Sequence, residues 1–297
     1  MHDSNSRLPY LVMAVMSAVL MGTIGVISKY SQLSAETITF YRLFFGGGLM
    51  FVFLLLVRKT ALLKQWPSWQ VLINGVFLAG FIVFYIQAMN YTSMANAIMM
   101  VYLAPVAASI CAHFFMGERL SRNSILLILL ALFGFAMMME FHLEFTSGSQ
   151  DAIGLGFAAL ALFTYAGFIL VNRTIPAGVH VYTRSWYQLM VGALCMLPLM
   201  LQQSETINST QWGWLLAAGL LPGFLAILFA VIALRELPAA TFGTLAYVEP
   251  IAVVSFGWIL FDQALSWLQI AGCLLIMLSG VVQALLMQRR IDRLATA

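Results

Sequence analysis

The chain has 297 residues, of which 62% are hydrophobic and 8% charged, with a formal net charge of +3. A soluble domain usually carries roughly 25% charged residues, so this balance excludes a water-soluble globule and requires a bilayer as solvent. The few basic residues are scattered through short segments, which excludes a nucleic-acid surface.

Residues 1–8 are short and polar. The apolar run after them is too long for a signal-peptide core and lacks a small-residue cleavage site, so it reads as a first membrane helix. A spanning helix needs roughly 20 apolar residues. Ten segments qualify: 9–29, 36–57, 69–90, 93–116, 123–140, 152–172, 181–201, 212–234, 238–261 and 266–287. Short polar stretches separate them, among them 58–67, 117–119, 146–151 and 202–211, and no soluble domain fits between. The polar tail, 288–297, is expected to fray. The expected fold is an all-α integral membrane protein of ten transmembrane helices.

With the N-terminus placed in the cytoplasm, the inner segments hold Arg7, Arg58, Lys59, Lys64, Arg119, Arg122, Arg173, Arg235, Arg289, Arg290 and Arg293, and the outer loops hold Lys29. This follows the positive-inside rule, with both termini cytoplasmic.

The two halves echo each other. A shift of 145 superimposes Tyr102 on Tyr247, Pro105 on Pro250, Leu120 on Leu265 and Ser121 on Ser266. Phe40-Tyr41-Arg42-Leu43 echoes Trp186-Tyr187-Gln188-Leu189, and Gly80-Phe81 echoes Gly223-Phe224. The expected repeats are 1–145 and 146–297. Five spans is an odd number, so consecutive halves must be inverted. The charges agree, because loop 58–67 is basic while its counterpart 202–211 has no Lys or Arg. Inverted repeats are a hallmark of secondary transporters, whose substrate site lies near mid-membrane between the halves.

Glu249 lies near the centre of the ninth span. A carboxylate at that depth costs a few kcal/mol on insertion scales and must face a polar cavity or a partner. There it can exchange a proton with the solvent, or bind a substrate ammonium; the alternative is a protonated group bonded to a freed carbonyl. Pro105 and Pro250 interrupt matching spans and release the carbonyls of Val101 and Ala246. Paired breaks of this kind point to a transporter site, or else serve helix packing alone. Arg42, some six residues into the second span, can catch a substrate carboxylate, or can snorkel to the interface.

Polar residues inside spans three and four (Tyr85, Gln87, Asn90, Ser93 and Asn96) can line a cavity or bond across helices. Tyr41, Tyr102, Trp186, Tyr187, Phe242 and Tyr247 supply rings that can stack on a flat or cationic substrate or serve as filler and interface anchors. Gln188 joins the candidates as the counterpart of Arg42. Phe242, Leu245, Ala246, Val253 and Phe256 share the helical face of Glu249. A mixed cavity of this kind fits a small amphipathic metabolite. His113 reads as a packing or interface residue and Glu140 as interfacial. Cys111, Cys195 and Cys273 each sit alone in an apolar run, with no CxxC or Cys/His cluster, so neither metal nor cofactor is expected.

Leu103-Ala104-Pro105, followed by Gly117-Glu118-Arg119-Leu120-Ser121, resembles the EamA family of the drug/metabolite transporter superfamily. Phe40-Tyr41-Arg42 is similar to that family's second-span pattern. Thr241-Phe242-Gly243-Thr244-Leu245 with Glu249-Pro250 resembles its threonine/homoserine exporters. The resemblance covers essentially the whole chain. It implies export of amino acids, related metabolites or drugs from the bacterial cytoplasm across the inner membrane, often coupled to protons, through a central cavity. One departure is Phe261-Asp262-Gln263, where the family repeats a Gly-Glu pair.

The rival readings are a relative carrying aromatic or cationic drugs, nucleobases or sugar derivatives, an intramembrane enzyme, and a structural or sensory protein. An enzyme needs convergent acid, base, nucleophile or metal groups. No histidine pairs with a nearby carboxylate inside a span, and there is no P-loop. A scaffold has no need of a pseudo-symmetric pathway. Monomer and homodimer are equally open.

Overall fold

The computed structural model describes residues 7–64, 67–92, 94–118, 120–141, 149–262 and 264–295. Among them run thirteen α-helices: α1 Leu8–Ser31, α2 Ala35–Leu56, α3 Trp69–Tyr91, α4 Met94–Val101, α5 Ala104–Phe115, α6 Arg122–Met138, α7 Ser149–Thr174, α8 Val181–Met200, α9 Ser209–Ala218, α10 Ala226–Glu236, α11 Ala239–Ala246, α12 Val248–Phe261 and α13 Trp267–Ala295. A single 3-10 turn, Thr60–Leu63, follows α2, and a π-helical stretch, Gly219–Leu225, joins α9 to α10.

Polar residues in the loops start the helices. Ser34 accepts from the Thr37 amide at 3.3 Å, Ser121 accepts from Ser124, and Asn208 with Gln211 forms a capping box on α9. Each satisfies an amide that the first helical turn leaves free. Outward faces are apolar, with Leu126, Phe163 and Leu194 each about two-thirds exposed. In water such faces would aggregate; against lipid they are solvated.

The described residues contain eight helices long and apolar enough to cross a membrane, against the ten expected. The difference lies in α6 and α8. The first is apolar but only 17 residues long. The second runs 20 residues but carries Arg184, Ser185 and Gln188, all fully buried against protein. A helix surrounded by other helices needs no apolar periphery, so α8 falls short on hydropathy.

Three expected spans are not continuous helices. Span 93–116 divides into α4 and α5 at Tyr102–Leu103, and span 238–261 into α11 and α12 at Tyr247. Span 212–234 contains the π-helical stretch around Pro222. Proline has no amide hydrogen and crowds the carbonyl four residues earlier, and a wider π turn accommodates both. The tail differs from the expected frayed end: α13 continues to Ala295, through residues with good helix propensity and no Gly or Pro. The loop expected at 146–151 lies outside the described residues as far as 148, and α7 already begins at Ser149. Ser93, Arg119 and Gln263 also lie outside them.

The principal packing pairs are α3 with α7, α6 with α13, α2 with α8, α1 with α10 and α12, and α5 with α11. These pairs map onto one another when the first and second halves of the chain are exchanged. Glycine permits the closest approach: a Cβ on Gly272 of α13 would stand 2.4 Å from the Gly134 carbonyl oxygen of α6.

The loops gather at two ends. At one end, Thr183 donates to the Leu62 carbonyl at 3.0 Å, Tyr187 donates to Leu63 at 3.2 Å, and Arg173 pairs with Glu118. Arg58, Lys59, Lys64, Arg173 and Arg235 lie in this region, called here the basic end. At the opposite end, Glu205 accepts from the amide and hydroxyl of Ser34, and Gln211 donates to the Ser31 carbonyl.

Candidate functional site

Glu249 stands in the first turn of α12, just after the break at Tyr247. The backbone there is pressed against α1: a Cβ on Gly22 would sit 3.2 Å from the Glu249 carbonyl oxygen and 2.9 Å from the Ala252 side chain. The residue before that glycine, Met21, receives a hydrogen bond from Nη2 of Arg42 at 3.0 Å. Thus α1 brings the guanidinium of α2 to the depth of the carboxylate of α12. Nε of Arg42 is buried and has no hydrogen-bond partner. No ion pair among the described residues joins Arg42 to Glu249, although each lies within the other's electrostatic reach.

Both side chains are only partly buried, deep in the bundle as they are. They therefore border a hollow. Tyr85 of α3 and Tyr165 of α7 lie within the electrostatic reach of Glu249 and are also partly buried. Their rings sandwich Phe81, which stacks on Tyr165 at 4.7 Å and on Tyr85 at 6.3 Å. The buried hydroxyl oxygen of Tyr85 has no partner. Gln87, two residues on, is partly buried as well.

The breaks shape the hollow. On the basic side of them α5 and α11 pack together, with Gly243 directly against Pro105. On the other side no comparable packing joins α4 to α12: α4 lies on α7 and α3, and α12 on α1. The two divided spans therefore splay apart toward the opposite end and close toward the basic end. Tyr247 holds the junction. Its hydroxyl donates to the Tyr102 carbonyl at 2.5 Å, and the two rings lie 5.7 Å apart.

Several sequence candidates prove to have protein partners. Tyr247 is 0% exposed, and its hydroxyl closes a helix break. Tyr102 is buried against Phe135, at 4.3 Å between ring centres. Phe242 belongs to the apolar core. Gln188, fully buried, donates to Asn172 at 3.0 Å, so the counterpart of Arg42 is occupied. Trp186 packs with Leu54 and Phe224 toward the basic side. Tyr41 makes an edge contact with Trp212 at 5.1 Å. Asn96 donates to Thr92 and lines an apolar recess of about 560 Å³ on the flank between α4 and α6. For these residues the expectation of direct substrate contact gives way to packing, because each finds a ring, carbonyl or amide in reach. Asn90, also a candidate, is exposed at the end of α3.

Sequence reasoning missed Tyr165 and Met21. A tyrosine at the middle of a span was the available signal for the first. For Met21 there was none, since its role comes from the packing of α1 on α2. Among the described residues no group of His, Cys, Asp and Glu could hold a metal, and the three cysteines are free.

The profile of the EamA-like transporter family matches residues 8–140 and 152–283. An uncharacterized transporter of Archaeoglobus fulgidus is 27% identical over 270 residues, covering 91% of this chain and 94% of its own. The pseudopaline exporter CntI of Pseudomonas aeruginosa is 26% identical over 276 residues, with 91% and 94% covered. A solved crystal structure superimposes with a TM-score of 0.82 at 21% identity, over 93% of this chain and 98% of the other. The relatives found are thus transporters, and these named ones are not threonine/homoserine exporters. The chain belongs to the EamA-like transporter family and is a multi-pass inner-membrane transporter of small molecules, not an enzyme.

Proposed function

We propose that the chain is a secondary carrier of ten membrane passes, built as two inverted five-helix halves (1–145 and 146–297), that exports amino acids or related small amphipathic metabolites by alternating access. The two stretches matched by the family profile and the exchange symmetry of the helix pairs support the repeat. The basic end is the cytoplasmic one under the positive-inside rule, with both termini there. A relative that bears the name of an exporter supports the direction.

One observation carries the cargo class. Arg42 and Glu249 face one hollow with opposite charges, yet neither forms an ion pair with the other. Two unpaired charges deep in a bilayer protein are costly unless something complementary visits. A zwitterion does so, with its carboxylate at Arg42 and its ammonium at Glu249. Tyr85, Tyr165 and Gln87 then flank its side chain. Binding exchanges with protonation when Glu249 takes up a proton, so protons are the natural counter-ion. The aromatic stack of Tyr85, Phe81 and Tyr165 favours a second cargo, flat cationic drugs that need Glu249 alone.

The test is thermal stabilisation of purified protein by a panel of amino acids, amines and aromatic cations at two pH values, followed by efflux from proteoliposomes. Zwitterions should stabilise the wild type, and Arg42→Gln and Glu249→Gln should each remove that effect. Efflux by Glu249→Gln should lose its pH dependence. Stabilisation by aromatic cations that survives Arg42→Gln would replace the zwitterion by the second cargo. Unchanged pH dependence in Glu249→Gln would remove the coupling role.

A further inference from the structure

Three chain reversals meet at the basic end, and one pair of side chains ties them. Glu118 follows α5, Arg173 ends α7, and Leu237 and Ala239 form the turn from α10 to α11. The Glu118 carboxylate pairs with the Arg173 guanidinium. Its other oxygen accepts from the Ala239 amide at 3.0 Å, at the start of α11. Nη1 of Arg173 donates to the Leu234 carbonyl at 3.1 Å and to that of Leu237, at the end of α10. Each charge thus sits where a helix terminus favours it, the anion at an N-terminus and the cation at a C-terminus. Both side chains are largely buried, 17% and 19% exposed, which limits screening by salt.

The pair has no equivalent at the opposite end. The shift of 145 carries Gly117 to Asp262 and Glu118 to Gln263. The first correspondence is visible in the backbone, because Gly117 at φ 67° and Asp262 at φ 51° make the same left-handed turn after α5 and α12. Gln263 lies outside the described residues, but as a neutral amide it cannot supply a carboxylate. The basic residue at the end of α1, Lys29, has its Nζ over the Phe261 ring at 3.8 Å, which is a weaker tie than a buried ion pair. The packing has the same polarity: α5 and α11 are zipped together at the basic side, whereas α4 and α12 splay at the other.

We infer that Glu118 and Arg173 form a one-sided latch that holds the basic-end gate shut and biases the empty carrier toward the form open at the opposite end. The inference rests on the alternating-access reading above. Opening the basic end requires α5 and α11 to part, and that motion pulls Glu118 away from either Arg173 or Ala239. The departure from the family's second Gly-Glu pair then has a consequence: the opposite gate lacks an ionic lock and opens the more readily.

The experiment is a spin-label distance measurement on the full chain in lipid nanodiscs, without substrate. Labels are placed at Phe115 and Gly178, both exposed, after Cys111, Cys195 and Cys273 are replaced. The parent should show one short distance. Glu118→Gln keeps an oxygen for the Ala239 amide and removes the charge. It should raise the proportion of a longer distance by about tenfold, the scale of one buried charge-assisted contact. Arg173→Lys, which retains the charge, should stay close to the parent. Should Glu118→Gln not elute as a folded protein, Arg173→Gln gives the same reading with the Ala239 cap intact. An unchanged distribution in the charge-removing variant, or equal opening in Arg173→Lys, overturns the latch. No cargo is involved, so a negative result here leaves the zwitterion proposal standing, and the reverse holds as well.

Discussion

Replacing Tyr247 by Phe removes one oxygen from the place where the two divided spans meet. The Tyr102 carbonyl lies at the end of α4, and the amide that would serve it in a continuous helix, that of Val106, makes no such bond among the described residues. Its partner is the Tyr247 hydroxyl, at 2.5 Å and 0% exposure. Phenylalanine keeps the ring contacts with Tyr102 and Phe135, so apolar burial is nearly unchanged. What remains is an orphaned buried carbonyl, at a cost of about 1–3 kcal/mol. Tyr102→Phe is the control, because the carbonyl it keeps is the acceptor. Reversible unfolding in mixed detergent micelles should show Tyr247→Phe less stable by that amount and Tyr102→Phe clearly less affected. A loss below about 0.5 kcal/mol in Tyr247→Phe, or equal losses in the two variants, would refute the reasoning that this bond closes the breaks.

Arg184 is 1% exposed and has no acidic partner. It donates instead to four carbonyls at the end of α7 and in the loop after it: Asn172, Ile175, Pro176 and Val179, the nearest at 2.8 and 3.0 Å. Arg184→Met should cost about 2–5 kcal/mol in the same unfolding assay, since at least two buried carbonyls lose a charged donor, and Arg184→Lys should cost less. His180, in the loop before α8, accepts from the Tyr182 amide through Nδ1 at 3.2 Å. Burial, and then the charges of Lys59, Arg235 and Arg184, hold its pKa below the usual histidine value of 6.5. The unfolded chain therefore binds the proton more readily, and the stability this cap supplies is present above pH 6.5 and lost as the pH falls through the lowered value. Melting temperature followed from neutral to acidic pH should decline more steeply in the wild type than in His180→Asn, whose cap does not titrate.

Lipid makes some features of this molecule legible from sequence and hides others. Glu249 and Arg42 stand out because a charge within an apolar run is expensive wherever it points. The paired prolines mark the divided spans because a missing amide in lipid must be answered locally. The echo of Tyr102 in Tyr247 foreshadows a contact between equivalent residues. The packing partners are not legible. Nothing in the string of residues indicates that Arg173 reaches Glu118, that Pro222 is accommodated by a π turn, or that Arg184 caps α7. The expected span at 181–201 is an instance of the same effect: α8 passes as apolar only when its polar face is discounted as buried.

This separates two kinds of intramembrane polar group that look alike in sequence. Gln188 and Arg42 occupy echoed positions, one in each half, and both were candidates for substrate contact. Gln188 finds Asn172 and is sealed from any probe. Arg42 finds a thioether, one of the weakest acceptors a protein offers, and keeps a buried nitrogen without a partner. A strong donor held by a weak acceptor can be given up to a better one at little cost, whereas a saturated amide pair resists displacement. On this ground the proposed cargo site belongs beside Arg42 and Glu249 and not at its symmetry mate. The pseudo-symmetry that shapes the hollow is broken in the chemistry of its walls, as it is in the latch, and a carrier that must bind one cargo in one orientation requires such a break.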